Sequence, residues 1–217
     1  YYWIAHDISI HPGNPYDILC GGVEVFKFNR ASSSLERRSQ WNAWYYDNIK
    51  IGGPEGDSSY VHADIHDIIR HPNNPDVVYL ATDGGVFRTL NNGVSFEGCN
   101  GLLQTVQFYQ SCSNSSQDSN FFIGGLQDNA TAVYEGKPEW RRVIGGDGGF
   151  TCIDPTNDQK VYGSIYWLAA FRSIDRAKTF QYIFPQQGAN TANFIAPICL
   201  CEAEENILAT SGDTFYL

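Results

Sequence analysis

"YLATDGGVFRTLNNGVSFEG", residues 79–98, holds an apolar run, an Asp-Gly-Gly turn, a second apolar run, an Asn-Asn-Gly turn and a closing aromatic residue. Short apolar runs rich in Val, Phe and Tyr between such turns read as antiparallel strands joined by tight connections. Extended toward its N-terminal side, the stretch becomes "DIIRHPNNPDVVYLATDGGVFRTLNNGVSF" (67–96). This lines up with "DISIHPGNPYDILCGGVEVFKF" (7–28) and with "FTCIDPTNDQKVYGSIYWLAAFRSIDRAKTF" (150–180). A weaker copy, "CSNSSQDSNFFIGGLQDNATAVYEG", occupies 112–136, and a last one, "ICLCEAEENILATSGDTFYL", runs from 198 to the final residue. The chain therefore repeats one unit about five times.

The three clearest copies run strand, Pro- and Asn-bearing turn, strand, turn, strand. In His11-Pro12-Gly13-Asn14-Pro15 and His71-Pro72-Asn73-Asn74-Pro75, Pro fixes φ while Asn or Gly accepts unusual backbone angles. A unit of roughly 40 residues with three or four strands cannot bury its own faces and must stack on copies of itself. The expectation is an all-β chain, a β-propeller segment of four blades and part of a fifth. The blades are placed at 1–60, 61–108, 109–149, 150–193 and, cut short, 194–217.

Composition fits this reading and excludes others. Hydrophobic residues make up 42% and aromatics 14%, enough for a sizeable core, while charged residues are only 18%, unlike a disordered or coiled-coil chain. A net charge of −10, with 14 scattered basic residues, argues against a nucleic-acid partner. No apolar run is long enough to span a bilayer. The chain has no Met and no signal-like apolar region near Tyr1, so it reads as a mature or excised segment, and residue 217 is not expected to be the biological end. The six cysteines, Cys20, Cys99, Cys112, Cys152, Cys199 and Cys201, lack the spacing of a zinc or redox motif; disulfides and buried thiols both fit them.

A sharper motif sits inside the unit. Thr89, Asn91, Gly93, Ser95 and Phe96 fit Ser/Thr-x-Asp/Asn-x-Gly-x-Thr/Ser-aromatic, and Ser173, Asp175, Thr179 and Phe180 fit it again with Ala177 in the glycine place. The acid or amide is expected to cap the turn, the hydroxyl to close it and the aromatic to anchor it. These residues resemble the Asp-box (bacterial neuraminidase) repeat of propellers such as sialidases, xyloglucanases and sortilin-type ectodomains, in which the box is a structural turn. "YVHADIHDI", "DGGVFR", "GLLQTVQFY", "IGGLQDNAT", "IGGDGGFTCIDPTN" and "VYGSIY", in that order between 60 and 175, look like repeat regions of large secreted or cell-surface proteins of Bacteroidetes-type bacteria that often carry C-terminal sorting domains. That resemblance implies export.

Three constellations are candidates for chemistry. If residues 61–70 form an inner strand, His62, Asp64 and His66 share one face, suited either to a divalent metal or to hydrogen bonds with neighbouring loops. In a propeller these residues should converge with Asp83-Gly84-Gly85, Gln127-Asp128-Asn129 and Gly146-Asp147-Gly148-Gly149. That would make Asp83, Asp128, Asn129 and Asp147 a ligand-binding face whose carboxylates suit calcium, unless these are simply good turn formers. Trp41, Trp44, Tyr45 and Tyr46 are either carbohydrate- or protein-contacting rings or outer-strand core. No serine-hydrolase elbow, phosphate loop, metalloprotease or dinucleotide motif is present, and the Arg-Ile-Pro of sialidases is absent, so no catalytic residue is assigned. The expected function is a non-catalytic extracellular or cell-surface module for adhesion, scaffolding or ligand binding. Its partners would be a protein or glycan, together with the blades or second chain that close the propeller. The competing expectation is a glycan-active hydrolase whose cleft those missing blades complete.

Overall fold

The computed structural model describes residues 6–43, 58–101, 103, 105–110, 112–201, 204 and 207–217; Trp44, Tyr45 and Tyr46 lie outside them. The chain is all-β, as expected; its described residues form five antiparallel sheets, in two compact units, Tyr1–Thr105 and Val106–Leu217. Among the described residues no helix is long and apolar enough to cross a membrane.

The first unit holds two four-stranded sheets, each ordered as its strands follow in sequence. Strands β1 (Asp7–His11), β2 (Asn14–Gly21), β3 (Phe26–Asn29) and β4 (Ser34–Arg37) form one; β5 (Ile65–His71), β6 (Asn74–Thr82), β7 (Gly85–Thr89) and β8 (Glu97–Gly98) form the other. The opening stretch is the β6–β7 hairpin, in which Leu80 pairs with Phe87 and Thr82 with Gly85. Alternation sends Val78, Leu80 and Phe87 into a core shared with Leu19, Val25, Ile65, Ile68 and Phe96. Burying side chains of this size stabilises by about 1.5–3 kcal/mol each.

The second unit stacks three sheets. They are β9 (Ser113–Asn114), β10 (Phe121–Gly125), β11 (Thr131–Glu135) and β12 (Arg141–Ile144); then β13 (Gly148–Ile153), β14 (Val161–Ile165), β15 (Ala169–Ser173) and β16 (Gln181–Phe184); then the three-stranded β17 (Ile198–Leu200), β18 (Leu208–Ser211) and β19 (Phe215–Tyr216). Two core layers form, one around Phe121, Ile123, Val133, Ile153 and Val161, the other around Tyr162, Leu168, Ala192, Ala196 and Ile198.

The repeat has one structural logic carried by different side chains. At the first turn of four sheets an acceptor caps the backbone two residues on. His11 Nδ1 accepts from the Gly13 N–H (3.1 Å), His71 Nδ1 from Asn73 (3.2 Å), Ser115 Oγ from Gln117 (3.0 Å) and Asp154 Oδ1 from Thr156 (2.8 Å). Asp154 is buried, which works to raise its pKa. The hydrogen bonds from Thr156 and Asn157, with Lys160 nearby, outweigh burial and hold it below the usual carboxylate range.

The loops after β7 and β15 share a second pattern. Thr89 Oγ1 donates to Asn91 Oδ1 (2.9 Å) and accepts from the Gly93 N–H (2.9 Å); Ser173 Oγ does the same toward Asp175 Oδ1 (2.7 Å) and the Ala177 N–H (2.8 Å). Asn91 Oδ1 accepts from Ser95 N–H and Asp175 Oδ1 from Thr179 N–H, both at 2.9 Å. The residues that follow the cap take left-handed angles, Asn92 and Gly93 at φ 56° and 82°, Arg176 and Ala177 at 61° and 60°. Phe96 anchors the first loop in the core and Phe180 packs against the core of the second.

Two readings meet the structure differently from the sequence pattern. The strand expected over 61–70 begins only at Ile65, because Asp64 sits at φ 60°, outside any strand conformation. The cysteine question resolves toward thiols: Cys20, Cys112, Cys152, Cys199 and Cys201 are all unbridged.

Candidate functional site

The candidate residues fall into two groups, one in each unit. In the first, Asp64 precedes β5 with 9% of its surface exposed, and its Oδ1 has no hydrogen-bond partner among the described residues. Burial first and the Asp83 carboxylate second push its pKa up, opposed by His62 and His66. His62 is buried, its Nδ1 lies 3.1 Å from the Ala63 carbonyl, and its ring occupies the space a side chain at Gly84 would need. His66 points to the exposed side, where its Nε2 meets Asp83 Oδ1 at the β6–β7 turn.

Strand alternation, which was to put His62, Asp64 and His66 on one face, starts only after Asp64, and of the three His62 and Asp64 are buried while His66 is exposed. Among the described residues no group of three or more His, Cys, Asp or Glu side chains is arranged to hold a metal ion. What the geometry does supply is two carboxylates in contrasting settings, one buried with a raised pKa and one engaged by an imidazole. Glu24, also pushed up by burial, sits apart on the first sheet against Ser39 and Arg37.

In the second unit the Gln127-Asp128-Asn129 turn and the Gly146–Gly149 segment are laced together. Gly148 N–H donates to Leu126 O and Ala130 N–H to Gly146 O, both at 3.0 Å. The backbones touch so closely that a Cβ on Gly125 would lie 2.0 Å from Gly149 O. Glycine is needed there for space, and Asp128 and Ala130 take left-handed angles (φ 54° and 71°) to close the turn. Asn129 is buried and its amide donates to Gln127 O, so it shapes the turn.

Asp147 and Asp128 remain partly exposed beside Tyr109, whose hydroxyl donates to Asp147 Oδ2 at 2.8 Å. Burial, that hydrogen bond and the charges of Asp147 and Asp128 all raise the phenol's pKa, so Tyr109 stays a neutral donor. Tyr109 also lies near-perpendicular to Phe194 (6.4 Å between centroids, 72°), and Phe194 stacks on Tyr166 (5.8 Å, 10°) and is near-perpendicular to Trp167 (5.1 Å, 84°). Tyr109, Tyr166, Trp167 and Phe194 were not singled out by sequence reasoning. "GLLQTVQFY" and "VYGSIY" marked two of their neighbourhoods, but nothing in the pattern showed that they meet.

The aspartates of the turns are committed elsewhere. Asp175 is held at a pKa of about 2, first by the Thr179 hydroxyl and backbone and by Ser173. Asp118 and Asp158 face Arg176, and Asp17 faces Lys27 and Arg70.

No family model matches the chain, and no curated protein matches it. Among solved structures it is similar to a GH74 xyloglucanase from Xanthomonas campestris (12% identity, TM-score 0.40, 94% of this chain and 35% of that one). It is also similar to a Niastella koreensis GH74 enzyme (15%, 0.37, 94% and 32%) and an ancestral GH74 enzyme (12%, 0.41, 95% and 27%). The chain spans about a third of the length of these enzymes. A chain of the mitotic checkpoint complex is matched comparably (9% identity, TM-score 0.37, 96% of this chain and 61% of that one), so these likenesses carry no chemistry.

Proposed function

We propose that this chain is a run of blades from an Asp-box β-propeller, exported to the cell surface or medium, where it binds a protein or glycan without transforming it. The observation that carries the reading is the Asp128/Asp147 platform. Two partly exposed carboxylates are fixed on backbones in van der Waals contact, and one of them is already hydrogen-bonded to Tyr109. A rigid set of acceptors beside aromatic rings recognises; with Asp147 committed to a neutral phenol, it lacks an evident acid for bond cleavage. Apolar side chains exposed on the first sheet (Ile8, Ile10, Leu35) and near the last (Ile207, Phe215) support further blades or another chain covering those faces.

A second reading, a glycoside hydrolase, is favoured by Asp64 and Asp83, two carboxylates of which the first is buried and has its pKa raised by burial and by the second, while Asp83 meets His66. Retention on immobilised polysaccharides and on cell-surface protein extracts, run beside reducing-end release from the same polysaccharides, separates the two. Retention without release supports the binding module. Release that disappears in Asp64→Asn overturns it in favour of the hydrolase, and neither retention nor release overturns both.

A further inference from the structure

We infer that the second unit holds a neutral hexopyranose on the Tyr166–Phe194 ring platform, with the carboxylates of Asp147 and Asp128 accepting its hydroxyl protons. The inference rests on the ligand-binding reading above and names the ligand class for the same platform.

Phe194 is 41% exposed, yet it is held on three sides by Tyr166, Trp167 and Tyr109. Its backbone carbonyl accepts from the Trp167 N–H at 2.9 Å, and Trp167 O in turn accepts from the Gln187 N–H at 2.8 Å. An exposed ring that is already immobile loses little entropy when a ligand stacks on it. Burial alone does not account for this arrangement, since a ring that only fills core has no reason to keep this much surface in water.

The backbone beneath is strained. Trp167 and Leu168 are consecutive bulky residues at φ 58° and 61°. Each costs roughly 1–2 kcal/mol relative to ordinary angles. Strain of this kind persists where the surroundings over-determine it, and it clusters at ligand sites. Here it presents the Tyr166 and Trp167 rings to Phe194.

The acceptors are part of the same assembly. Gly146 takes φ 78°, and a Cβ there would come within 2.7 Å of Tyr166 Cε1, so the Asp147 loop lies directly against the platform. Tyr109 joins the two halves, its hydroxyl on Asp147 and its ring near-perpendicular to Phe194. A flat ring suits the C–H face of a pyranose, and ionised carboxylates are acceptors only, matched to sugar hydroxyls. Two carboxylates in a chain of net charge −10 repel a polyanionic glycan, which favours a neutral sugar.

The test is calorimetric and fluorescence titration of the 217-residue chain with neutral gluco-, manno- and galacto-oligosaccharides, and with an oligogalacturonate as the acidic comparison. Saturable binding of a neutral sugar is expected. Phe194→Leu, which keeps apolar packing but loses the flat face, and Asp147→Asn should each weaken it about tenfold. Phe215→Ala on the last sheet should leave it unchanged, and each variant's circular dichroism and melting are compared with the parent's. Undiminished binding in folded Phe194→Leu and Asp147→Asn would overturn this placement while sparing the ligand-binding reading. Binding of no neutral sugar, or preference for the oligogalacturonate, would overturn the ligand class; the ligand-binding reading would then be judged by retention on cell-surface protein.

Discussion

Asp64→Asn should make the protein more stable at neutral pH, although it alters a residue of a candidate site. Asp64 combines a left-handed φ of 60°, 9% exposure and an Oδ1 without a hydrogen-bond partner among the described residues. Its carboxyl pKa is raised by burial first and by Asp83 second. Because the folded pKa lies above the unfolded one, the native carboxylate is the costly form. Stability rises as pH falls through the folded pKa, and the gain is complete below the unfolded value of about 4. Asparagine removes the charge and tolerates the left-handed region well. An unsatisfied buried polar group costs about 1–3 kcal/mol, and the amide recovers only part of this, so a gain of about 1 kcal/mol is expected. For a chain of this size that corresponds to a rise of about 2–4 °C in Tm. Urea unfolding of both proteins between acid and neutral pH is the assay. The advantage should be largest at neutral pH and fade toward pH 4. Asp64→Ala should gain less, since alanine keeps the backbone penalty. If Asp64→Asn were less stable than the parent at pH 7, the carboxylate would be a net stabiliser through His62 and His66, and the reasoning from burial would be wrong.

Thr89→Val conserves shape but removes the hydroxyl that serves the buried Gly93 N–H, and should cost about 1–2 kcal/mol in urea unfolding; a smaller loss would mean that the loop re-closes without it. Asn91→Asp should raise Tm at pH 7 by about 1 °C, by giving the first loop the charge-assisted bonds that Asp175 makes in the second. With Asp175 held at about 2 as the guide, that gain should be present above about pH 4 and vanish as pH falls through about 2. Gly125→Ala drives a methyl into Gly149 O and should cost about 3 kcal/mol or more, read as loss of soluble folded protein; a well-folded variant would show that the two backbones are not locked.

The strands and their turns were legible because they follow from local rules. Alternation in 78–89 and the Pro- and Asn-bearing turns depend on neighbours in sequence, and the repeat multiplied the signal. The reading faltered at Asp64, where the chain leaves the strand region one residue before Ile65. No composition rule marks an aspartate that will adopt φ 60° in a buried setting. The aromatic platform was illegible for another reason. Tyr109 and Phe194 are 85 positions apart, and the strained angles of Trp167 and Leu168 are imposed by packing, against the preferences of both residues. Asp128 and Asp147 were found because Gly-rich turns advertise close backbone approach, while Tyr109, which orients one of them, carries no such mark.

The loops after β7 and β15 also show how one local architecture is held by different residues. In the first unit the loop is tied to the neighbouring sheet by a cation from β5: Arg70 donates to Asn92 Oδ1 (3.0 Å) and Pro75 O (2.8 Å) and faces Asp17, while Asn92 Nδ2 reaches Asp17 Oδ2 (2.6 Å). In the second unit the cation sits in the loop itself, at the place Asn92 holds in the first. Arg176 pairs with Asp118, lies 3.5 Å from Asp158 and covers the Phe121 ring. A basic side chain on the adjoining sheet then grips the loop backbone in both, Lys27 on Asn92 O (3.2 Å) and Arg141 on Ala177 O (2.9 Å). Arg70 is the more buried of the two cations, with 8% of its side chain exposed against 32% for Arg176, so loss of its partners should cost more than loss of those of Arg176. The hydrogen-bond pattern is the same in the two loops, although the first has Asn91 where the second has Asp175 and the second has Ala177 where the first has Gly93.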